Sequence, residues 1–201
     1  MTIDADTDGT AGGTLTIATG AAVNAGAGNA FDIDADDLAL SGTLVGAAAS
    51  TIEDSDGTGI VLGDDTASLS GGLIVSGAEL EKITNSSSVE FITGGGITVD
   101  NVTGVNSANV AGDVILDATG TIAFNTAAST FNRLDAESDS LVDVNVNLTT
   151  DVGAISLEGD EDGTGAVTIA SGITVDSAGT LQLDAANTGI DVEGAATLSG
   201  E

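Results

Sequence analysis

Asp54-Ser55-Asp56-Gly57-Thr58, followed by Gly59-Ile60-Val61-Leu62, decides the fold because it is repeated. The element Asp-x-Asp-Gly-Thr also occurs at Asp6 to Thr10 and at Asp160 to Thr164. After each copy comes Gly or Ala and then an alternating strand: Thr14 to Ile17, Gly59 to Leu62, Ala166 to Ile169. A second repeat keeps a constant offset. Thr16-Ile17-Ala18-Thr19-Gly20 leads to Val23-Asn24, and Thr168-Ile169-Ala170-Ser171-Gly172 leads to Val175-Asp176. A turn and a short strand that recur along a chain are the signature of a solenoid.

Outward from these copies, period-2 alternation dominates. Phe31-Asp32-Ile33-Asp34, Ile97-Thr98-Val99-Asp100, Leu181-Gln182-Leu183-Asp184 and Ile190-Asp191-Val192-Glu193 each alternate apolar with polar residues. Val142 to Leu148 reads as the longest such run. Gly, Asn, Asp, Ser and Thr, the turn formers, lie between runs. Ser76 to Thr84 reads either as one or two helical turns capped by Ser76, or as a strand and corner of the same coil.

A strand of three or four residues cannot bury its one apolar face alone. Coiling stacks each rung about 4.8 Å above the last, and inward Ile, Val, Leu and Ala then form one narrow core. Rungs of about two dozen residues give about nine coils and a body about 40 Å long. The expected architecture is all-β: a right-handed parallel β-helix, with residues 1–201 as a single solenoid segment. A β-sandwich is the alternative, since short strands with turn signals also describe that fold. Thr2-Ile3-Asp4 opens as a strand, and Ala196-Thr197-Leu198 near the other end is strand-like too. A module of a longer chain, or subunits self-associating head to tail into a fibre, is therefore expected.

Composition limits the chemistry. Of 201 residues, 32 are Asp or Glu and only Lys82 and Arg133 are basic, a net charge of −30. That charge opposes binding to nucleic acid and to anionic membrane surfaces. No apolar run approaches the length of a membrane span. The sequence has no His or Cys, which removes thiolate nucleophiles, Ser-His-Asp triads and the usual zinc ligand sets. It has no Trp or Tyr to stack on a sugar ring. A polysaccharide-active β-helix enzyme is thus the least favoured reading, and no catalytic residue is assigned.

Two features point to cations. The Asp-x-Asp-Gly loops carry hard carboxylate oxygens of the kind calcium takes. The candidate ligands are Asp4, Asp6, Asp8, Asp54, Asp56, Asp160 and Asp162. Asp4 to Gly9 matches the first half of an EF-hand loop, but Leu15 stands where the bidentate Glu belongs. The competing explanation is that Asp and Gly simply make tight turns. The second feature is the alternation at Asp32, Asp34 and Asp36, which should project outward while Phe31 and Ile33 point in. Acids stacked in register would repel by about 0.9 kcal/mol per pair in water.

Thr58 to Asp65, then Leu73 to Thr84, resemble a recurring unit of giant bacterial surface proteins, as do Gly96 to Thr103 and Asn106 to Val110. These are the filamentous-haemagglutinin-like exoproteins. The resemblance implies a secreted β-helical fibre with a structural or adhesive role outside the cell or on a bacterial surface. It brings no catalytic residues. The expected function is a structural or adhesive module of an extracellular fibre or surface coat. A calcium-dependent adhesin, engaging a cell-surface or polysaccharide receptor, is the alternative.

Overall fold

The structure is a computed structural model that describes residues 1–7, 12–63, 72–160, 163–185 and 189–200. It is nearly all β, with stacked parallel strands forming a solenoid of about eight turns. The first coil carries β1 (Thr2–Asp4), β2 (Thr14–Ile17) and β3 (Ala22–Asn24); the second carries β4 (Asp32–Ala35), β5 (Asp37–Leu40) and β6 (Thr43–Gly46). The third is longer: β7 (Ser50–Asp54), β8 (Gly59–Gly63), β9 (Leu73–Ser76), α1 (Gly77–Leu80) and β10 (Ile83–Asn85). The fourth holds β11 (Val89–Thr93), β12 (Gly96–Val99) and α2 (Gly104–Ser107). Four three-strand coils follow. They are β13 (Val114–Ala118), β14 (Ile122–Phe124), β15 (Ser129–Phe131); β16 (Leu134–Ser138), β17 (Leu141–Val144), β18 (Leu148–Thr150); β19 (Ile155–Glu158), β20 (Ala166–Ile169), β21 (Thr174–Asp176); and β22 (Leu181–Asp184), β23 (Gly189–Val192), β24 (Thr197–Ser199).

The opening strands of the coils make one eight-stranded wall, β1-β4-β7-β11-β13-β16-β19-β22. The second wall contains the pair β2-β5 and the seven-stranded sheet β9-β8-β12-β14-β17-β20-β23. The third contains β3-β6-β10 and β15-β18-β21-β24. Every strand pairing among the described residues is parallel. A β-sandwich packs antiparallel sheets face to face, so this pairing decides against the alternative.

Register sets the length of each coil. In the first wall Thr2 pairs with Asp32, then Thr51, Glu90, Ile115, Asp135, Ser156 and Gln182 in turn. Spacing between successive members runs from 19 residues (Asp32 to Thr51) to 39 (Thr51 to Glu90). The long third coil explains why there are about eight turns rather than nine. It returns through β9, which pairs below β8 with Leu73 beside Ile60 and Val75 beside Leu62. That coil thereby adds a second strand to its wall.

The core is a set of stacked columns. Ile3, Ile33, Ile52, Phe91, Leu116, Ala136, Leu157 and Leu183 align in the first wall. Leu62, Val99, Phe124, Val144, Ile169 and Val192 align in the second. Phe31, Phe91, Phe124 and Phe131 are all fully buried. Burying a side chain of this size stabilises by about 1.5–3 kcal/mol, and small neighbours such as Ala136 keep the column narrow.

Two local readings need correction. Val142 to Leu148 is not one strand: β17 ends at Val144 and β18 begins at Leu148. Asn145 takes the corner between them, with its amide donating to Asn125 and Asp143 side chains at 3.0 and 2.8 Å. Asp36 does not project outward with Asp32. It is 3% exposed, because β4 stops at Ala35 and Asp36 opens the next corner. The Ser76 segment contains both alternatives: β9 runs into α1, where Ser76 and Glu79 form a capping box, and β10 follows.

Candidate functional site: an acidic ladder and a carboxylate cluster

The outward face of the first wall carries a ladder of acids. Asp4 pairs with Asp34 and Asp34 with Glu53; after Ile92, Asp117, Glu137, Glu158 and Asp184 continue the same column. Seven of eight positions are therefore acidic, one per coil. The strand spacing of about 4.8 Å fixes their separation. Burial pushes the carboxyls of Asp34, Glu53, Asp117 and Glu158 above the usual carboxylate range, and neighbouring acids add to it: Asp4 at Asp34, Asp34 at Glu53, Asp139 at Asp117, Asp184 at Glu158.

The copy of the Asp-x-Asp-Gly-Thr element that is described throughout, Asp54 to Thr58, folds as a turn that joins the first wall to the second. In the copy at Asp54, the Gly57 amide donates to the Asp54 carbonyl at 3.2 Å. In the copy at Asp160, the Gly163 amide donates to the Asp160 carbonyl at 2.7 Å. Gly57 and Gly163 have φ of 67° and 89°, the left-handed region where a Cβ is disfavoured. Both leading acids, Asp54 and Asp160, are buried. β8 and β20 follow these turns, and β2 follows the first copy, as the repeat requires.

At one of these turns the acids gather. Oxygens of Asp36, Asp54 and Asp56 all lie within 4.8 Å of one another, the one group of three potential metal ligands among the described residues. Asp36 comes from the corner of the second coil, and Asp54 and Asp56 from the third. Asp36 accepts from the Gly13 amide at 2.9 Å, from the Gly12 amide and from the Ser55 hydroxyl. The Ser55 hydroxyl also reaches Asp6 Oδ2 at 3.0 Å. A hydroxyl carries one hydrogen, so it serves one of these two carboxylates at a time. Asp56 Oδ1 accepts from the Thr58 amide at 2.9 Å, an Asx turn.

Asp54 is the unusual member. It occupies the inward position at the end of β7 and is 2% exposed. Its Oδ2 accepts from the Gly59 amide at 2.7 Å and from the Thr93 hydroxyl, one coil on, at 2.8 Å. Its Oδ1 is buried and has no hydrogen-bond partner among the described residues. Burial raises its carboxyl above the ordinary carboxylate range; the Thr93 and Gly59 bonds oppose this, and the Asp56 and Asp36 charges reinforce it. Two ionised carboxylates 4.8 Å apart repel by about 3.5 kcal/mol at an effective dielectric of about 20.

The seven acids expected to bind metal are therefore distributed unevenly. Asp54 and Asp56 join the cluster, and Asp6 touches it through Ser55. Asp4 lies on the ladder and accepts from the Asp6 amide at 3.0 Å. Asp160 is buried in its own turn. Asp8 and Asp162 lie outside the described residues. The sequence does not by itself place Asp36 in this group. The signal was the doublet Asp36-Asp37, since strict alternation cannot place two successive acids on one outward face.

A shallow groove of about 440 Å³ runs between α2 and β15, lined by Val102, Val105, Thr130, Asn132 and Asp151 among others. Asp151 is the one carboxylate of its lining. Among the described residues no helix is long and apolar enough to cross a membrane. No protein-family model, curated protein or solved structure matches the chain.

Proposed function

We propose that the chain is a structural module, a stiff acid-faced solenoid segment of an extracellular fibre or surface coat. The observation that carries this reading is the in-register acid ladder on an unbroken eight-stranded parallel wall. A continuous parallel wall supplies length and stiffness. Repeating charge at about 4.8 Å keeps neighbouring rods apart and holds a shell of counter-cations. Resemblance to filamentous-haemagglutinin-like exoproteins supports a place outside the cell. Ile190, Val192 and Leu198 are 44%, 40% and 39% exposed, an apolar edge that a further rung, of a longer chain or of a second copy stacked head to tail, would cover. Heterologous contacts of that kind extend into open filaments. Negative-stain imaging at low and high salt tests the assembly: linear arrays lengthening with NaCl support it, and isolated particles at high salt and high concentration contradict it. Antibody labelling of intact against permeabilised cells of the source organism tests the location.

A calcium-dependent binding module is the second reading. The Asp36, Asp54 and Asp56 cluster favours it.

A further inference from the structure

We propose that Asp36, Asp54 and Asp56 form a calcium site that clamps the second coil of the solenoid to the third. The clustering of three acids has an independent companion in the buried Asp54 Oδ1. It sits in a residue 2% exposed, without a hydrogen-bond donor among the described residues. An acceptor oxygen so placed lacks either a proton or a cation. The fold itself does not require it. Along the first wall, the same inward position at the end of the strand is Ala35 in β4, Ala118 in β13 and Ser138 in β16.

Oxygen-only ligation selects a hard cation. A pair of ligands on opposite sides of one calcium ion lies about 4.8 Å apart, twice a bond of about 2.4 Å; magnesium, with bonds of about 2.05 Å, spans only about 4.1 Å. The cluster's oxygens, all within 4.8 Å of one another, can be bridged by either ion, so the choice between them rests on coordination preference. Magnesium demands near-octahedral order and gives up water reluctantly, whereas calcium accepts the irregular ligand set that two separate corners provide. The ligands belong to two coils, so the ion closes a bridge that neither coil has alone. The site does not depend on the biological role of the rod.

Isothermal titration of the full chain, stripped with chelator and then given CaCl2 or MgCl2 in 150 mM NaCl, tests the site. The expected result is one saturable calcium site per chain above the diffuse background of the acid ladder, bound at least tenfold more tightly than magnesium. Asp36→Asn and Asp56→Asn should each weaken it at least tenfold. Glu158→Gln, on the ladder far along the wall, should leave it unchanged. Non-saturating heats in the wild type, equal calcium binding in Asp36→Asn and Asp56→Asn, or magnesium binding as tight as calcium would overturn the proposal. Thermal melts of Asp54→Asn give a readout with two signs. The new amide donates where an orphaned acceptor stood, so the variant should melt higher than wild type in chelator and lose the calcium-induced rise. A variant that melts lower in chelator yet keeps that rise would contradict the site.

Discussion

The inward position at the end of the first-wall strand differs between the turn after β7 and the turns after β13 and β16. In β16 it holds Ser138, whose hydroxyl donates to the Gly120 carbonyl at 2.8 Å and accepts from the amides of Ser140 and Leu141 at 3.0 Å. In β13 it holds Ala118, with no polar atom to satisfy. In β7 it holds Asp54, with one oxygen bonded twice and the other without a partner among the described residues. The same backbone corner tolerates a small apolar residue, a fully satisfied hydroxyl and a half-satisfied acid. Ser138 shows that a polar group at this corner can be completed by the turn itself. The turn after β7 leaves Asp54 incomplete and brings Asp36 and Asp56 beside it. The later coils thus stack apolar columns with hydrogen-bonded groups such as Ser138 at their corners, whereas the turn after β7 carries a half-satisfied buried acid that a cation would complete.

The largest expected effect breaks one of these apolar columns. Val144 is fully buried, stacked between Phe124 and Ile169. Val144→Asp should cost about 4 kcal/mol or more by burying an unpaired charge. Asp143→Asn, one residue away on the outward face, should change stability by less than about 0.5 kcal/mol. Equal denaturation midpoints for the two would contradict the assignment of strand faces.

Next, Ala118→Asp transplants the Asp54 situation into a coil without the cluster. A loss of about 3 kcal/mol is expected, and calcium should not restore it. Recovery of its melting temperature on adding calcium would mean that the cluster is not what distinguishes the two corners.

Acidification sharpens the comparison from another side. Asp34, Glu53, Asp117 and Glu158 have folded-state carboxyls raised above their ordinary values of 3.8 for Asp and 4.5 for Glu. The folded state therefore holds more protons than the unfolded chain once the pH exceeds those ordinary values. Their stabilising contribution is full below the ordinary values and is lost as pH rises through the raised ones. Melts followed by circular dichroism should shift upward from pH 7 towards about pH 4, opposite to common acid denaturation. A midpoint that falls steadily over that interval would count against the ladder.

Smaller effects remain. Ser138→Ala should cost about 1 kcal/mol, the net worth of its hydroxyl bonds at a buried corner. NaCl should raise the melting temperature modestly, since the Debye length falls from about 10 Å at 0.1 M to about 3 Å at 1 M. No salt response would contradict charge repulsion along the ladder.

Most of the fold was legible because local and global signals agree in it. The turn of Asp54 to Thr58 recurs, each copy is followed by a strand, and apolar residues alternate on one face, so coiling is the arrangement that buries them all. The break at Asn145 was not legible, since Val142 to Leu148 keeps its alternation through a corner and only stacking beside Asn125 places the bend. The β9 excursion was hidden for a similar reason, as Leu73 to Val75 alternates like any other strand. Site legibility was partial. Asp54 and Asp56 stand in a loop whose composition suggests calcium, but Asp36 lies 18 residues before Asp54 and reaches it only because one coil stacks on the next.

Hydrogen exchange of the full chain, followed by mass spectrometry in chelator and in calcium at matched ionic strength, compares the turn after β7 with those after β13 and β16 in one measurement. Calcium should slow exchange of amides in β4, β7 and β8, around the Asp36, Asp54 and Asp56 corner, and leave those in β13 to β20 unchanged. Uniform slowing along the whole rod, or no slowing anywhere, would contradict an ion clamp confined to the early coils.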